Sequence, residues 1–243
     1  MVSDEETSAI IDAVEAYDAL PDPGWLEQSL SGRPLMERLN TAMSWVQSAR
    51  LDSATQLIKR GNRTDWGDIK RESDGDPSHM GPGDEWTVSI YDQAIAYAAL
   101  EGLARLNSAV GREQDRAHWE SEAANLRVAT NFVLWQDDPD HGFYRIHQHI
   151  PLAGASLTTS EDNVIAIGNA AAIYYGLADA DKVPRILGAL ERARVAAGAN
   201  NWNQAEMGPG SYQNGAIWDW WGGRQASDPT DGAIVIDETL RCC

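Results

Sequence analysis

Cysteine is nearly missing from this chain, and its two copies, Cys242 and Cys243, are the last two residues. Adjacent terminal thiols supply neither a disulfide framework nor the spacing of a zinc site. Basic residues are also scarce: 19 Lys and Arg stand against 37 Asp and Glu, a formal charge of −18. That balance excludes bulk electrostatic binding to nucleic acid or to an anionic membrane, both of which need clustered cations. It disfavours an acidic polysaccharide as well and leaves neutral sugars permitted. Long apolar runs are absent, so no transmembrane helix is expected. The opening MVSDEETSAI lacks the basic and apolar regions of a signal peptide. A cytoplasmic protein is the expectation. Phosphate-binding and hydrolase signatures are missing too: there is no GxGxxG after a strand, no P-loop, no GxSxG elbow and no HExxH.

Phenylalanine is the other shortage, with two Phe against ten Trp and seven Tyr. Indoles and phenols combine a flat apolar body with a polar handle. That pairing suits a carbohydrate cleft, where ring faces meet the apolar side of a sugar and neighbouring acids and amides meet its hydroxyls.

The 243 residues, 43% apolar, read as a single domain over 1–243, with an irregular tail at 226–243. Ser3 to Leu20 predicts a helix, capped by Ser3, with acids in the first turn and Ile10, Ile11, Val14 and Leu20 at helical spacing. Pro34 opens a second, whose face carries Leu35, Leu39, Met43 and Val46. Leu51 to Thr64 predicts a turn and a short strand-like excursion. Further helices are predicted over Thr87–Asn107, Arg112–Trp135, Asp162–Leu177, Asp181–Ala197 and Tyr212–Gln225. FYRIH, residues 143–147, alternates like a strand. Buried, Ala-rich helices therefore alternate with amphipathic ones, joined by loops rich in Trp, Asp and Gly.

Three clusters carry chemistry. TDWGD sets Asp65 and Asp68 around Trp66 and Gly67; a plain Asx turn explains it if it stands alone. Glu85, Trp86, Tyr91, Asp92 and Gln93 gather at the head of the third predicted helix, where Asp92 alone is explained by the helix dipole. SYQNGAIWDWWGGRQ, residues 211–225, crowds Tyr212, Gln213, Asn214, Trp218, Asp219, Trp220 and Trp221 together, with Glu206 upstream. As pure core these amides and indole N–H groups would each need a partner. A carboxyl held against an indole has its pKa raised and can protonate a leaving oxygen. Asp162 and Asn163 are explained by capping of the fifth helix. His141, His147 and His149 lie near Tyr144, but no acid or Cys completes a ligand set locally, so no metal and no cofactor are expected.

The strings TDWGD, GDEWTVSIYDQAIAYAAL, NFVLW with GFYRIH, EDNVIAIGNAAAIYYGLAD and YQNGAIWDWWGGRQ together resemble the six-hairpin glycosidases. That superfamily has an (α/α)6 barrel and includes trehalase-like, amylo-α-1,6-glucosidase-like, neutral-invertase and cellobiose-phosphorylase groups. YQNGAIW is similar to the Y-x-N-G-x-W string that many of them carry, and DWGD sits where their catalytic-acid segment would be. The similarity spans about Pro34 to Gln225. It implies an all-α (α/α)6 toroid of helical hairpins with short β excursions in its loops. It also implies hydrolysis of a glycosidic bond in a neutral sugar, usually with inversion. One carboxylic acid protonates the leaving oxygen while a second carboxylate, roughly 6.5–9.5 Å away, activates water on the opposite face. Position makes Asp65 the acid, with Asp68 as the alternative. Trp66, Glu85, Trp86, Tyr91, Asp92, Gln93, Tyr212, Gln213, Asn214 and Trp218 would contact the sugar.

A complete toroid has six inner and six outer helices, whereas about seven are countable here. The toroid is thus expected to be incomplete and the chain truncated. The usual general base often follows the YQNG region, where this chain runs into DETLRCC; the second carboxylate is then absent, or is Glu206 or Asp219. Two rivals follow: a non-catalytic carbohydrate-binding remnant, and a sugar epimerase on the same toroid, which would need a His pair in the cleft. The expected partner is a carbohydrate, and a homo-oligomer is permitted.

Overall fold

Apolar residues at helical spacing, interrupted by turn residues, build six α-helices in the computed structural model, which describes residues 5–61, 86–138, 141–150, 160–164 and 166–196. The described chain is mainly helical. Helix α1 is Glu5–Ala19 and buries Thr7, Ile10 and Ala13. It ends before Pro21, and a short 3-10 turn at Pro23–Trp25 follows, where the Asp22 carboxylate accepts from Gly24 N at 2.8 Å. A two-strand hairpin, β1 (Ser29–Leu30) and β2 (Arg33–Pro34), leads into α2 (Leu35–Arg50). Helix α2 buries Met36, Leu39, Met43 and Val46, the face its sequence predicts apart from the shift of one position at Leu35. The predicted excursion after α2 is present as a Leu51–Ile58 bridge and strand β3 (Lys59–Gly61).

Strand β4 (Trp86–Ser89) runs directly into α3 (Ile90–Ala109), so the predicted helix start at Thr87 is three residues early. Thr and Val favour a pleated strand, and Ser89 then marks the turn into the helix. Its Oγ accepts from Asp92 N at 3.2 Å and donates to Asp92 Oδ2 at 2.6 Å. Ser89 is thus the N-cap of α3, its hydroxyl satisfying one orphan N–H of the first turn and holding the Asp92 carboxylate as well.

Among the described residues helix α3 is the most deeply buried element, packed against α1, α2, α4 (Glu113–Val133) and α5 (Ala166–Tyr174). Helices α3 and α4 form a helical hairpin across a tight turn in which Gly111 takes φ +74°, a conformation that favours glycine. Close approach of α1 to α3 depends on Gly102: a Cβ there would stand 2.5 Å from Val14 Cγ2. Asn107, fully buried, exchanges amide hydrogen bonds with Asn40 of α2 at 3.2 and 3.0 Å, and the Trp119 indole of α4 donates to Asn40 Oδ1 at 2.7 Å. Seven residues along α2, Gln47 donates to Glu122 at 2.7 Å.

The strands are more extensive than loop excursions. Strand β5 (Trp135–Asp138) pairs with β6 (His141–Ile150), and β7 (Ser160–Val164) pairs with β6 on part of its length. One antiparallel sheet runs in the order β3-β4-β6-β5, with β7 also on β6. Two helix predictions are corrected here. The fourth helix stops at Val133, because Trp135 starts β5; the fifth starts at Ala166, because residues 160–164 pair with β6. Such pairing is non-local, and a ten-residue strand offers an edge that outweighs local helix preference. Asp162 and Asn163, predicted to head the fifth helix, therefore belong to a strand. Helix α6 (Val183–Ala196) packs on β6.

Candidate functional site

The head of α3 is where the second sequence cluster falls, and the sheet determines what surrounds it. Pairing sets Gly61 opposite Trp86 and Trp86 opposite Ile150 at one end of the strands. Arg60 stands opposite Thr87, and Thr87 opposite residue 149. Ser89 stands opposite residue 147 at the end where α3 begins. Gly61 and Trp86 are the two described residues that flank 62–85, so that span leaves and rejoins the sheet at adjacent, paired positions.

Trp86 is partly buried, and the Lys59 ammonium lies 5.3 Å from the centroid of its ring. Tyr91 is partly buried on the first turn of α3. Asp92 and Gln93, predicted to contact a sugar, are instead turned inward. Asp92, 6% exposed, forms an ion pair with Arg60, itself 2% exposed, and accepts the Ser89 hydroxyl. Gln93 is fully buried; its Oε1 accepts from Ile58 N at 2.8 Å, and its Nε2 donates to Ile58 O at 2.8 Å and to Ser89 O at 3.0 Å. Both amide protons of Gln93 are therefore used within the fold. Thr87 is fully buried, and its hydroxyl has no hydrogen-bond partner among the described residues.

Asp65, Trp66, Asp68, Glu85, Glu206, Tyr212, Gln213, Asn214, Trp218 and Asp219 lie outside the described residues, as do Ser3 and the seventh predicted helix. Arg60 and Ser89 are the residues that sequence reading passes over. Ser89 had a signal, the Ser-x-x-Asp spacing into an apolar run. Arg60 had none, since an arginine beside Lys59 in a polar stretch reads as a solvated charge. The three histidines fall in β6, and among the described residues no group of three or more His, Cys, Asp or Glu could hold a metal ion. No helix among them is long and apolar enough to cross a membrane.

A second polar centre sits where α4, β5, β6 and α5 meet. The Asn169 side chain bridges both backbone groups of Tyr144 at 2.9 Å each, and the Tyr144 hydroxyl donates to Asn131 at 2.7 Å. Burial, with Asp179 nearby, drives the Tyr144 phenol well above its ordinary range. Trp135 packs edge-on to Tyr144 at 5.0 Å, with Lys182 and Arg185 each 5.3 Å from its ring. Arg185 also holds Asp137 at 2.7 Å, and that guanidinium lowers the Asp137 carboxyl below the usual range. Every group named here has an internal partner, so this centre reads as scaffold. An open groove of about 850 Å³ runs between α1, α3 and α4. Its two arginines are paired with its own acids, Arg105 with Asp18 at 2.8 Å and Arg116 with Glu113 at 2.6 Å.

Compared with protein-family models and with curated proteins, the chain finds no match in either.

Proposed function

We propose that the chain is a glycoside hydrolase domain on an incomplete (α/α)6 toroid of helical hairpins, acting on a neutral glycoside. The observation that carries this reading is the pairing of Gly61 with Trp86 at the start of β4, the strand that leads into α3. It joins the acid-bearing span 62–85 at its base to Trp86, and the same strand runs on into the first turn of α3, which carries Tyr91. The two ends of the acid-bearing span thus meet beside one aromatic face, Trp86, and a sugar site draws on such faces. The α3–α4 hairpin, with α3 inside and α4 outside, is the kind of unit such a toroid repeats.

In this reading Asp65 or Asp68 is the general acid, held protonated by the apolar face of Trp66, and delivers its proton to the leaving oxygen. A second carboxylate, Glu206 or Asp219, accepts a proton from the attacking water. Trp66, Trp86, Tyr91, Tyr212, Asn214 and Trp218 supply ring faces and hydroxyl partners. Two carboxyl groups and a water complete the chemistry without metal or cofactor.

The test is hydrolysis of a panel of aryl glycosides and disaccharides by the wild type, Asp65→Asn and Asp68→Asn, with the anomer of the first product followed by NMR. Turnover that is lost in one Asn variant, with inverted product, supports the reading. Sugar binding without turnover on any substrate overturns it in favour of a binding module.

A further inference from the structure

Helix α4 changes character along its length. Its first half carries Glu113, Asp115, Arg116, Glu120 and Glu122. From Ala123 to Val133 its one charged residue is Arg127, whose guanidinium is drawn over the Tyr97 ring at 4.8 Å and onto Gly176 O. What faces solvent there is Ala124, Asn125, Val128 and Phe132. Val128 is 69% exposed, and Phe132, one of two phenylalanines in the chain, is 88% exposed. Four residues apart on one helix, they form a ridge rather than scattered surface apolar groups.

Beside the ridge lies a groove of about 710 Å³, between α2, the Leu51–Ile58 turn and α4. Met43, Leu100 and Leu126 lie buried along its floor. The turn makes a preformed wall: Asp52 Oδ2 accepts from Thr55 N and Thr55 Oγ1 at 2.8 Å each, and Asp52 N donates to Leu57 O at 2.9 Å. Among the described residues lining this groove, Glu122 alone is charged, and it already accepts from Gln47 at 2.7 Å. The groove between α1, α3 and α4 is edged instead by charges such as Glu15, Glu101, Arg105 and Glu120.

These features narrow the occupant. A partner held by ion pairs finds almost nothing to grip here. Two copies of a chain with net charge −18 repel each other, least where they meet across an uncharged face. A second copy also brings both shapes, a projecting ring and a groove, at the same spacing. Two-fold interfaces require that self-complementarity. Their cores are poor in charge and rich in aromatic anchors.

We infer that two copies of the chain dock through this face about a two-fold axis, each seating its Phe132 in the other's groove over Met43, Leu100 and Leu126. Phe132 anchors the contact, and Val128 covers its edge. The ridge is short, so the dimer is reversible and of micromolar affinity.

The experiment is sedimentation velocity of the full chain over a concentration series. The wild type is expected to pass from monomer to dimer near about 10 µM. Phe132→Ala raises the dissociation constant about a hundredfold, the scale of an aromatic anchor. Ala54→Glu, at the groove wall, does the same. Leu20→Glu, an equal charge change at another exposed position, leaves it within about twofold. All three positions are exposed, so the variants keep the fold. An equimolar mixture of Phe132→Ala with Ala54→Glu recovers part of the affinity, because one intact ring still meets one intact groove. Raising NaCl from about 0.05 to 0.5 M tightens the dimer by screening the net charge.

A monomer at every concentration up to about 200 µM overturns the inference in favour of an unlike partner. So does a dimer that Phe132→Ala leaves intact, which would assign the contact to another face. A mixture no tighter than either variant, or a dimer that dissociates as salt rises, overturns it as well.

Discussion

At the tail of α3, Asn107 trades neutral hydrogen bonds with Asn40, and Trp119 adds its indole N–H. At the head of the same helix, Asp92 faces Arg60 as a buried charge pair, and Thr87 beside it keeps an orphan hydroxyl among the described residues. Both places put polar groups in dry surroundings, but the tail does so with uncharged groups whose partners sit on stable helices. The head uses charges, and its partners sit on a strand with only three residues in the sheet. A helix–helix contact can be registered by amides alone, since ridges and grooves already restrict it. A short strand has little else to fix it, so a buried charge pair is used there.

Breaking the head should cost most. Asp92→Leu alone leaves Arg60 charged and buried, and an uncompensated partner of this kind costs about 3–5 kcal/mol in urea denaturation. Replacing both, Asp92→Leu with Arg60→Met, should recover most of that loss. A double variant as unstable as the single would show that the pair contributes more than charge compensation.

Breaking the tail should cost less. Asn40→Leu strands the Trp119 indole and the Asn107 amide, for a loss of about 2 kcal/mol. The same order, about 1–3 kcal/mol, is expected for Gly102→Ala, because Val14 is short, branched and cannot swing aside. Val14→Ala in that background should return part of the stability, a coupling read from a double-mutant cycle.

A smaller effect sharpens the comparison with the Tyr144 centre. Burial raises the phenols of Tyr144, Tyr97 and Tyr175. Below the ordinary phenol pKa both folded and unfolded chains hold these protons. Above it the unfolded chain releases them first, so stability falls as pH climbs toward the raised folded values. Tyr144→Phe should cost about 1 kcal/mol at neutral pH through the lost bond to Asn131, yet give a shallower decline above pH ~10 in thermal melts across pH. Least of all, Arg105→Ala removes a pair whose side chains are half exposed, and should change stability by under about 0.5 kcal/mol.

Much of the helical frame was legible in the sequence, and the reason is local. Helices α1, α2 and α4 show strong 3.6-residue spacing with proline, glycine or acidic signals at their ends, so only their ends moved by a residue or two. The strand before α3 was hidden because Val88 continues an apolar stripe that suits a helix equally well. The Ser89-x-x-Asp92 spacing was the available clue. Residues 160–164 were hidden for another reason: their strand exists because β6 offers an edge, which no local window reveals. At the site, the sequence marked Asp92 and Gln93 as polar residues at the head of a buried helix and as candidate sugar contacts. It could not say that their partners are Arg60 and Ile58, since those contacts are made across the fold.

The general acid is the claim on which the enzymatic account stands, and leaving-group dependence tests it most directly. For Asp65→Ala and Asp68→Ala, kcat should be measured on a glycoside with a poor leaving group, such as a methyl glycoside, and on its 2,4-dinitrophenyl counterpart, which departs without a proton. The account predicts that one of the two variants loses about 10²–10⁴-fold on the first and far less on the second. Equal losses on both substrates in both variants, or no loss in either, would contradict it.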